Sequence, residues 1–352
     1  MPKNLILILA LALALIPPGP APAAEGRKVN LGLAVHSLDG YWEQEIEGGR
    51  NFADSLPAGS IGIQILTCDG DDKKQIALIR AFIAEHGRNA ILFVDPSSAA
   101  NTTAISVLCE ESGVYWTSVR RRAKGLNPMN LRYYVMHQSV DGLKQGYDTA
   151  VRMFKEFKNP GRGRILALLG PGDSDSAAER YEGLKMALSE YGEVELLDTA
   201  ACDWNPPAAL KATEAWLGQY PDFDGIWSAN DDLALAAIQA LKAKGLSGEI
   251  KVAGAGGGGL AAMEAIETGD LVCTAAANGR LQGGYGAAFA YKAWSGEIRP
   301  DLMSSRQRAF YTDSVLVDQA GLDGYRRDLI QDPPDYDYNN LEFPIGRAMK
   351  ID

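Results

Sequence analysis

Tyr220–Gly245 reads YPDFDGIWSANDDLALAAIQALKAKG, and the fold can be read outward from it. Pro221, Asp222 and Asp224 are turn formers, and Gly225–Ala229 behind them is a short apolar run of strand character. Asn230 and Asp231 then stand at a helix N-cap. Leu233, Ala236, Ala237, Ala240 and Leu241 follow at helical spacing, and Gly245 is a stop. A strand that passes into a helix through polar residues sets those residues, and the free N–H groups of the first turn, at the carboxyl edge of a sheet. In open α/β sheets that edge is where ligands bind. Taken alone, Asn230 and Asp231 could equally be caps and nothing more.

The same alternation extends in both directions. Upstream, strands are expected at Val29–Val35, Ile61–Cys68, Asn89–Val94, Val114–Val119 and, shorter, Tyr133–His137. Helices are expected between them at Tyr41–Leu56, Lys73–Glu85 and Thr102–Glu111. A second series begins with the helix Leu143–Phe157. Strands Arg164–Leu169 and Val194–Ala200 and helices Ser176–Tyr191 and Pro206–Gln219 lead to the opening stretch. Beyond it lie strands Ile250–Ala253 and Leu271–Ala276, helices Leu260–Glu267 and Gly283–Trp294, and one late strand, Ala309–Leu316. Strands alternating with helices in this way predict parallel sheets covered on both faces, and two such series predict two lobes. The tail from Gly321, containing DPPDYDYNN, has no periodicity and is expected to run over the surface.

At 352 residues the chain is long enough for two domains. Its net charge of -11 argues against a nucleic-acid or anionic-membrane surface. Residues 1–24 read as an export signal: Lys3, an apolar run Leu5–Ile16, the break Pro17–Pro20 and the small-residue site Ala21-Pro22-Ala23. That run is shorter than the about 20 residues a membrane span needs, so export to the periplasm with cleavage near Ala23 is expected. Cys68, Cys109, Cys202 and Cys273 are too scattered for a disulfide scaffold and read as buried thiols. His36, His86 and His137 are dispersed, so no metal site is expected, and nothing calls for a cofactor.

The strand-end loops carry the chemistry. The first series offers His36 to Trp42 (with Ser37 and Asp39), Asp95-Pro96-Ser97-Ser98 and Arg120–Arg122. The second offers Gly170–Glu179 with Arg180 just inside the helix, Asp203-Trp204-Asn205, Asn230-Asp231, Gly254–Gly259 and Asn278-Gly279-Arg280. Aromatic faces that cover the C–H faces of a ring, with planar Arg, Asn and Asp groups for its hydroxyls, suit a sugar or other polyol.

On SAAERYEGL (Ser176–Leu184), ANDDLALAAIQAL (Ala229–Leu241) and GGLAAMEAIETGDL (Gly258–Leu271), the chain resembles the periplasmic sugar-binding proteins of the ribose- and galactose-binding type, the type I substrate-binding subunits of ABC importers. The resemblance runs from about Val29 to Val317. It implies two doubly wound parallel-sheet lobes joined by three crossovers, near His137–Ser139, Ala277–Asn278 and Tyr311–Asp313, that close on a ligand. Residues 25–138 with 278–312 would form the first lobe, and 139–277 with 313–352 the second. It further implies that Trp42 and Trp204 are opposing ring-stacking aromatics, that Arg180 and Asn230 bind ligand, and that Arg121 ends the fourth strand in the same role. Ser37, Asp39, Arg120, Gln138, Gly256 and Asn278 complete the candidate set at the remaining strand ends and crossovers.

Departures bear on the ligand. Relatives carry an acid just before Arg121, where this chain has Arg120, and another where it has Gly256; a Gln-like hinge position is Ala277. Receptors for autoinducer-2 carry Trp at Ala255 and Arg at Ala277, so that specificity is not implied. Gaining a guanidinium while losing two carboxylates would suit a sugar acid, a sugar phosphate or another anionic polyol; alternatively, Arg120–Arg122 pair with acids of this acidic chain. Gly254–Gly259 satisfies GxGxxG but lies late in its series with no acid about twenty residues on, which argues against a dinucleotide. Asp39 and Asp95 could be imagined as a glycosidase pair. The reading adopted is a non-enzymatic, monomeric binding protein that delivers a sugar or polyol to a membrane permease or, as an alternative, reports it to a sensor kinase or chemoreceptor.

Overall fold

The structure is a computed structural model and describes residues 28–350 apart from 39, 173, 332 and 333. The export segment, residues 1–24, and Asp39 lie outside the described residues. The first series comprises β1 (Val29–Val35), α1 (Gly40–Asp54), β2 (Ile61–Thr67), α2 (Asp72–His86), β3 (Ala90–Val94), α3 (Ala99–Ser112), β4 (Tyr115–Val119) and β5 (Tyr134–Val140). The second comprises α4 (Gly142–Phe154), β6 (Arg162–Leu169), α5 (Asp175–Glu190), β7 (Glu193–Ala201), α6 (Pro206–Gln219), β8 (Gly225–Ser228), α7 (Asp231–Ala243), β9 (Lys251–Ala253), α8 (Leu260–Glu267) and β10 (Cys273–Ala276). Then come α9 (Gly279–Ser295), α10 (Ser305–Arg308), β11 (Ala309–Thr312), β12 (Val315–Asp318) and α11 (Leu322–Tyr325).

Two six-stranded sheets result, ordered β11-β5-β4-β3-β1-β2 and β12-β10-β9-β8-β6-β7. Every pairing is parallel except β10 with β12. Each sheet runs second, first, third, fourth, fifth, then a late strand. The order therefore reverses between β1 and β3 in one sheet and between β6 and β8 in the other. Those reversals open the crevices in which α/β sheets take ligands.

The helices that carry the expected site residues are held by backbone-to-backbone contacts. α1 lies on α9, where a Cβ on Gly48 would stand 2.0 Å from the Arg280 carbonyl oxygen and one on Gly283 would stand 2.0 Å from that of Glu45. α4 and α5 repeat the device: a Cβ on Gly146 would fall 1.9 Å from the carbonyl oxygen of Arg180. Arg180 is thus fixed through its own backbone. All four cysteines are buried and free.

Three expectations are corrected. The late strand Ala309–Leu316 is two strands, β11 in the first sheet and β12 in the second, with the chain crossing at Asp313-Ser314. The fifth strand is not short; it continues through His137–Ser139 to Val140, so the first crossing follows it. The tail, expected on the surface and with the second lobe, instead returns to the first. Tyr338 is buried edge-on against Phe52 and Tyr285, at 5.3 and 5.2 Å between centroids, and Ala348 bridges to Phe310. The tail has no helical period, but its alternating Asp and Tyr residues suit an extended segment that buries every second side chain.

Arg308, buried at the end of α10, donates to the carbonyls of Pro300, Pro128, Leu131 and Tyr134 at 2.5, 2.5, 3.1 and 2.6 Å. It clips the start of β5 to β11. Arg308→Met leaves buried carbonyls without donors and is expected to cost about 3 kcal/mol or more. The shift of the urea midpoint at unchanged slope measures this.

Candidate functional site

The site is built at the two sheet reversals. In the first lobe the organiser is Asp95, directly after β3 and fully buried. A buried carboxylate needs donors; two neighbours supply them to Oδ2, while Oδ1 has a cation nearby but no hydrogen bond among the described residues. Trp42 Nε1 donates to Asp95 Oδ2 at 2.6 Å, Arg120 forms an ion pair with the same oxygen, and Arg121 Nη1 lies 3.8 Å from Oδ1. The Trp42 indole stacks on His36 at 4.8 Å, and the Arg120 guanidinium lies 5.1 Å over the indole and 5.0 Å over the Tyr41 ring. Burial opposes the charge on Arg120, but Asp95 outweighs it and holds the guanidinium protonated. Arg120 reaches this place from a left-handed backbone, φ 63°, which a non-glycine residue adopts only when its surroundings hold it there.

Beneath this platform lies Glu45, fully buried, with both carboxyl oxygens lacking a hydrogen-bond partner among the described residues. Burial, reinforced by Asp95, pushes its carboxyl well above the usual range, against the pull of Arg120. Tyr41 bonds to Gln282 of α9. Gln282 Nε2 bonds Thr312 at 2.9 Å, and its carbonyl accepts Gln138 Nε2 at 2.7 Å.

In the second lobe the organiser is Asp231, at the first position of α7. Its Oδ1 accepts the Thr274 hydroxyl at 2.6 Å, and its Oδ2 accepts the Gly258 N–H at 2.9 Å. The Gly254–Gly259 turn therefore wraps a buried carboxylate rather than a phosphate, and a Cβ at Gly254 would meet Asp231 Oδ1 at 2.5 Å. Burial raises the Asp231 carboxyl, against the pull of those two hydrogen bonds and of Arg180. Arg180 points into the same place. Its Nε donates to Gln145 Oε1 at 2.9 Å and its Nη1 to the Ala229 carbonyl at 2.8 Å, while Nη2 makes no hydrogen bond among the described residues. Burial pulls this guanidinium down to about 10; Asp231 opposes the shift and Arg120, from the other lobe, adds to it. Gly256, at φ 100°, makes room for Arg180, since a Cβ there would lie 2.5 Å from Nη2.

The structure thus brings Trp42, Arg120 and Arg121 together through Asp95, and Arg180 together with Gly256 beside Ala229-Asn230. Asn230 serves chiefly as a cap, its Oδ1 accepting the Leu233 N–H at 3.0 Å. Trp204 sits on left-handed backbone, φ 56°, with its indole laid on Gly170 and against the second lobe's own core. Ser37 is half-buried in the loop after β1. Two candidates are spent on the hinge. Asn278 caps α9 through Leu281 N–H at 2.9 Å and gives its Nδ2 to the Tyr336 hydroxyl at 2.8 Å, and Gln138 ties β5 to α9. Of the imagined glycosidase pair, Asp39 lies outside the described residues, and the Asp95 carboxylate is engaged by the Trp42 indole N–H and the Arg120 guanidinium. Glu45, Gln145 and Gln282 are not singled out for this site by the sequence, and Asp231 reads there as a strand-end residue or cap without a place in the candidate set. A spacing signal existed for Glu45, which follows Tyr41 by four residues on the inward face of α1.

Residues 31–298 match the periplasmic binding protein domain family. The ribose import binding protein RbsB of Haemophilus influenzae is 26% identical over 269 residues, 76% of this chain and 86% of that protein. The putative rhizopine-binding protein of Rhizobium meliloti is 27% identical over 307 residues, 85% of this chain and 93% of that protein. Among solved structures, a twin-arginine translocation pathway signal protein from Burkholderia phytofirmans superposes with a TM-score of 0.81 at 31% identity, covering 92% of this chain and 99% of that one. With two like-ordered sheets, ligand-type residues at both reversals and a family match through most of its length, this chain belongs to the periplasmic binding protein family.

Proposed function

We propose that this chain is an exported, monomeric binding protein that captures a sugar or sugar-like polyol between its two lobes and delivers it to the membrane permease of an ABC importer. The observation that carries this reading is Arg180. It is braced at Nε and Nη1, desolvated, and left with Nη2 open beside a glycine that clears its path. A half-used guanidinium in a sheet crevice is a donor awaiting hydroxyls. In the first lobe, Trp42 and the Arg120 guanidinium laid over its ring are both held by Asp95. A ligand touching both lobes would stabilise the closed arrangement through contacts that exist only there. Relatives named for ribose import and rhizopine binding support the same class of cargo.

The charge balance admits the anionic cargo that Arg120 suggests in the sequence as well as a neutral one. Arg120 pairs with Asp95 and Arg121 donates to the Pro96 carbonyl at 3.1 Å, but that single carboxylate faces both guanidinium groups, and Arg180 keeps Nη2 open. No step of the proposal is catalytic: the ligand is bound, carried and released unchanged. Lobe boundaries at Val140-Asp141, Ala277-Asn278 and Asp313-Ser314, with residues 336–349 on the first lobe, accord with this clamp.

Calorimetric titration with ribose, galactose and galacturonate tests the reading, and at least one of them is expected to bind. Binding by none of them, with no polyol detected by mass spectrometry of the purified protein, would overturn it. Arg180→Ala should weaken that binding by about 100-fold or more while Arg180→Lys recovers part of it, both measured in the same titration. Gly256→Ala, which strains φ 100° and collides with Nη2, should cost more in affinity than in melting temperature. Asp95→Asn should release Arg120 and loosen the indole, lowering affinity about tenfold; the intrinsic Trp fluorescence of the folded variant reports the loosened ring.

A further inference from the structure

Residues after α11 make contacts that a two-lobe clamp does not itself require. The chain leaves the second lobe at Tyr325, whose hydroxyl lies 3.4 Å from the Gly258 carbonyl, and returns to the first, adding a fourth passage between the halves. On the way it touches each of the other three. At the β10–α9 crossing, the Tyr336 hydroxyl takes Asn278 Nδ2 at 2.8 Å. Along β11, Tyr311 N–H donates to Arg347 O at 2.8 Å, Gly346 N–H to Tyr311 O at 2.9 Å and Met349 N–H to Ala309 O at 3.1 Å. The segment is therefore an added antiparallel partner beside the last crossing. At the β5–α4 crossing, Arg347 grips Asp141 with two bonds, Nε to Oδ2 at 2.7 Å and Nη2 to Oδ1 at 2.9 Å.

This last bond spans the lobes. Arg347 is placed by β11 of the first, and its guanidinium lies 4.3 Å over the Tyr311 ring. Asp141 caps α4 of the second, accepting Lys144 N–H at 3.1 Å. The Tyr311 hydroxyl in turn bonds Glu179 on α5, one residue before Arg180. A bidentate guanidinium–carboxylate pair tolerates little change in distance or angle, so a rotation about the crossings that separates these residues must break it.

We propose that residues 336–349 are a strap across the hinge, with Arg347 as a latch whose bond to Asp141 favours the arrangement in which the lobes face one another. This builds on the clamp of the proposed function but concerns the hinge and not the cargo. Asp141 is 12% and Arg347 52% exposed, so the latch biases the equilibrium modestly, by about three- to tenfold.

The test uses the full chain with Arg347→Met, Asp141→Asn (which keeps a competent cap) and the double variant. Small-angle scattering without ligand reads the hinge directly. Each single variant should show a larger radius of gyration than the wild type, and the double should be no more open than either single. The dissociation constant for whichever of ribose, galactose or galacturonate the wild type binds should rise about three- to tenfold, mostly through faster dissociation. Scattering curves of the folded single variants that superimpose on the wild type would sink the latch. If the wild type binds none of these sugars, the scattering arm still decides, so failure of the cargo reading and failure of the strap are told apart.

Discussion

One constraint recurs in both halves: a carboxylate buried after the third strand of each sheet. Asp95 follows β3 and Asp231 follows β8, topologically equivalent strands, and each stands where its sheet reverses order. A carboxylate there cannot be solvated, so it must recruit donors, and what it recruits is the site. Asp95 draws in an indole N–H and two guanidinium groups; Asp231 draws in a hydroxyl and the amide of a glycine turn, with Arg180 alongside. The geometry available to a ligand is therefore set from beneath, by groups the ligand need not touch. The first cluster is not fully satisfied, since Asp95 Oδ1, Arg120 Nε and both Glu45 oxygens lack hydrogen-bond partners among the described residues, and unpaired buried polar groups are costly.

That view explains the departures from the family pattern. An acid is absent just before Arg121, yet a carboxylate is present in the same neighbourhood, contributed by the adjoining strand end as Asp95. Arg120 stands where the acid was expected and turns inward to meet it, at the cost of a left-handed backbone. Gly256 replaces the second acid and converts its place into clearance for Arg180. The substitutions read in sequence as a gain of positive charge are answered in the fold by one buried carboxylate, Asp95, that faces both Arg120 and Arg121. Long-range pairing of this sort depends on strand order, and strand order is not visible in local spacing.

The fold itself was largely legible. Strand and helix periodicity marked two α/β series, and with them the strand-end loops that hold Trp42, Arg120 and Arg180, because strand-end position is a local property. The roles of Asn278 and Gln138 could not be, because each depends on a partner more than fifty residues away: Tyr336 for one, the carbonyl of Gln282 for the other. Trp204 shows the same limit. A Trp in a polar loop looks like a ligand plate, but the indole lies on Gly170, a contact set by the β6–β7 pairing. Ala309–Leu316 misled for a different reason: its polar break Thr312-Asp313-Ser314 is short enough to read as part of one strand, yet it is where the chain passes from one sheet to the other.

The glycine contacts connect these parts mechanically. α1 carries Trp42 and is seated on α9 through Gly48 and Gly283; α5 carries Arg180 and is seated on α4 through Gly146, against the Arg180 backbone itself. α4 and α9 are also the helices that begin at two of the lobe crossings, capped by Asp141 and Asn278. Each helix that carries a candidate site residue is therefore seated, backbone on backbone at its glycines, against a helix that starts at a lobe crossing. Tightly packed interfaces transmit shifts instead of damping them. A rotation at Asp141 or Asn278 is then passed to the helices of Arg180 and Trp42, so the position of those side chains and the angle at the crossings are tied by the packing itself.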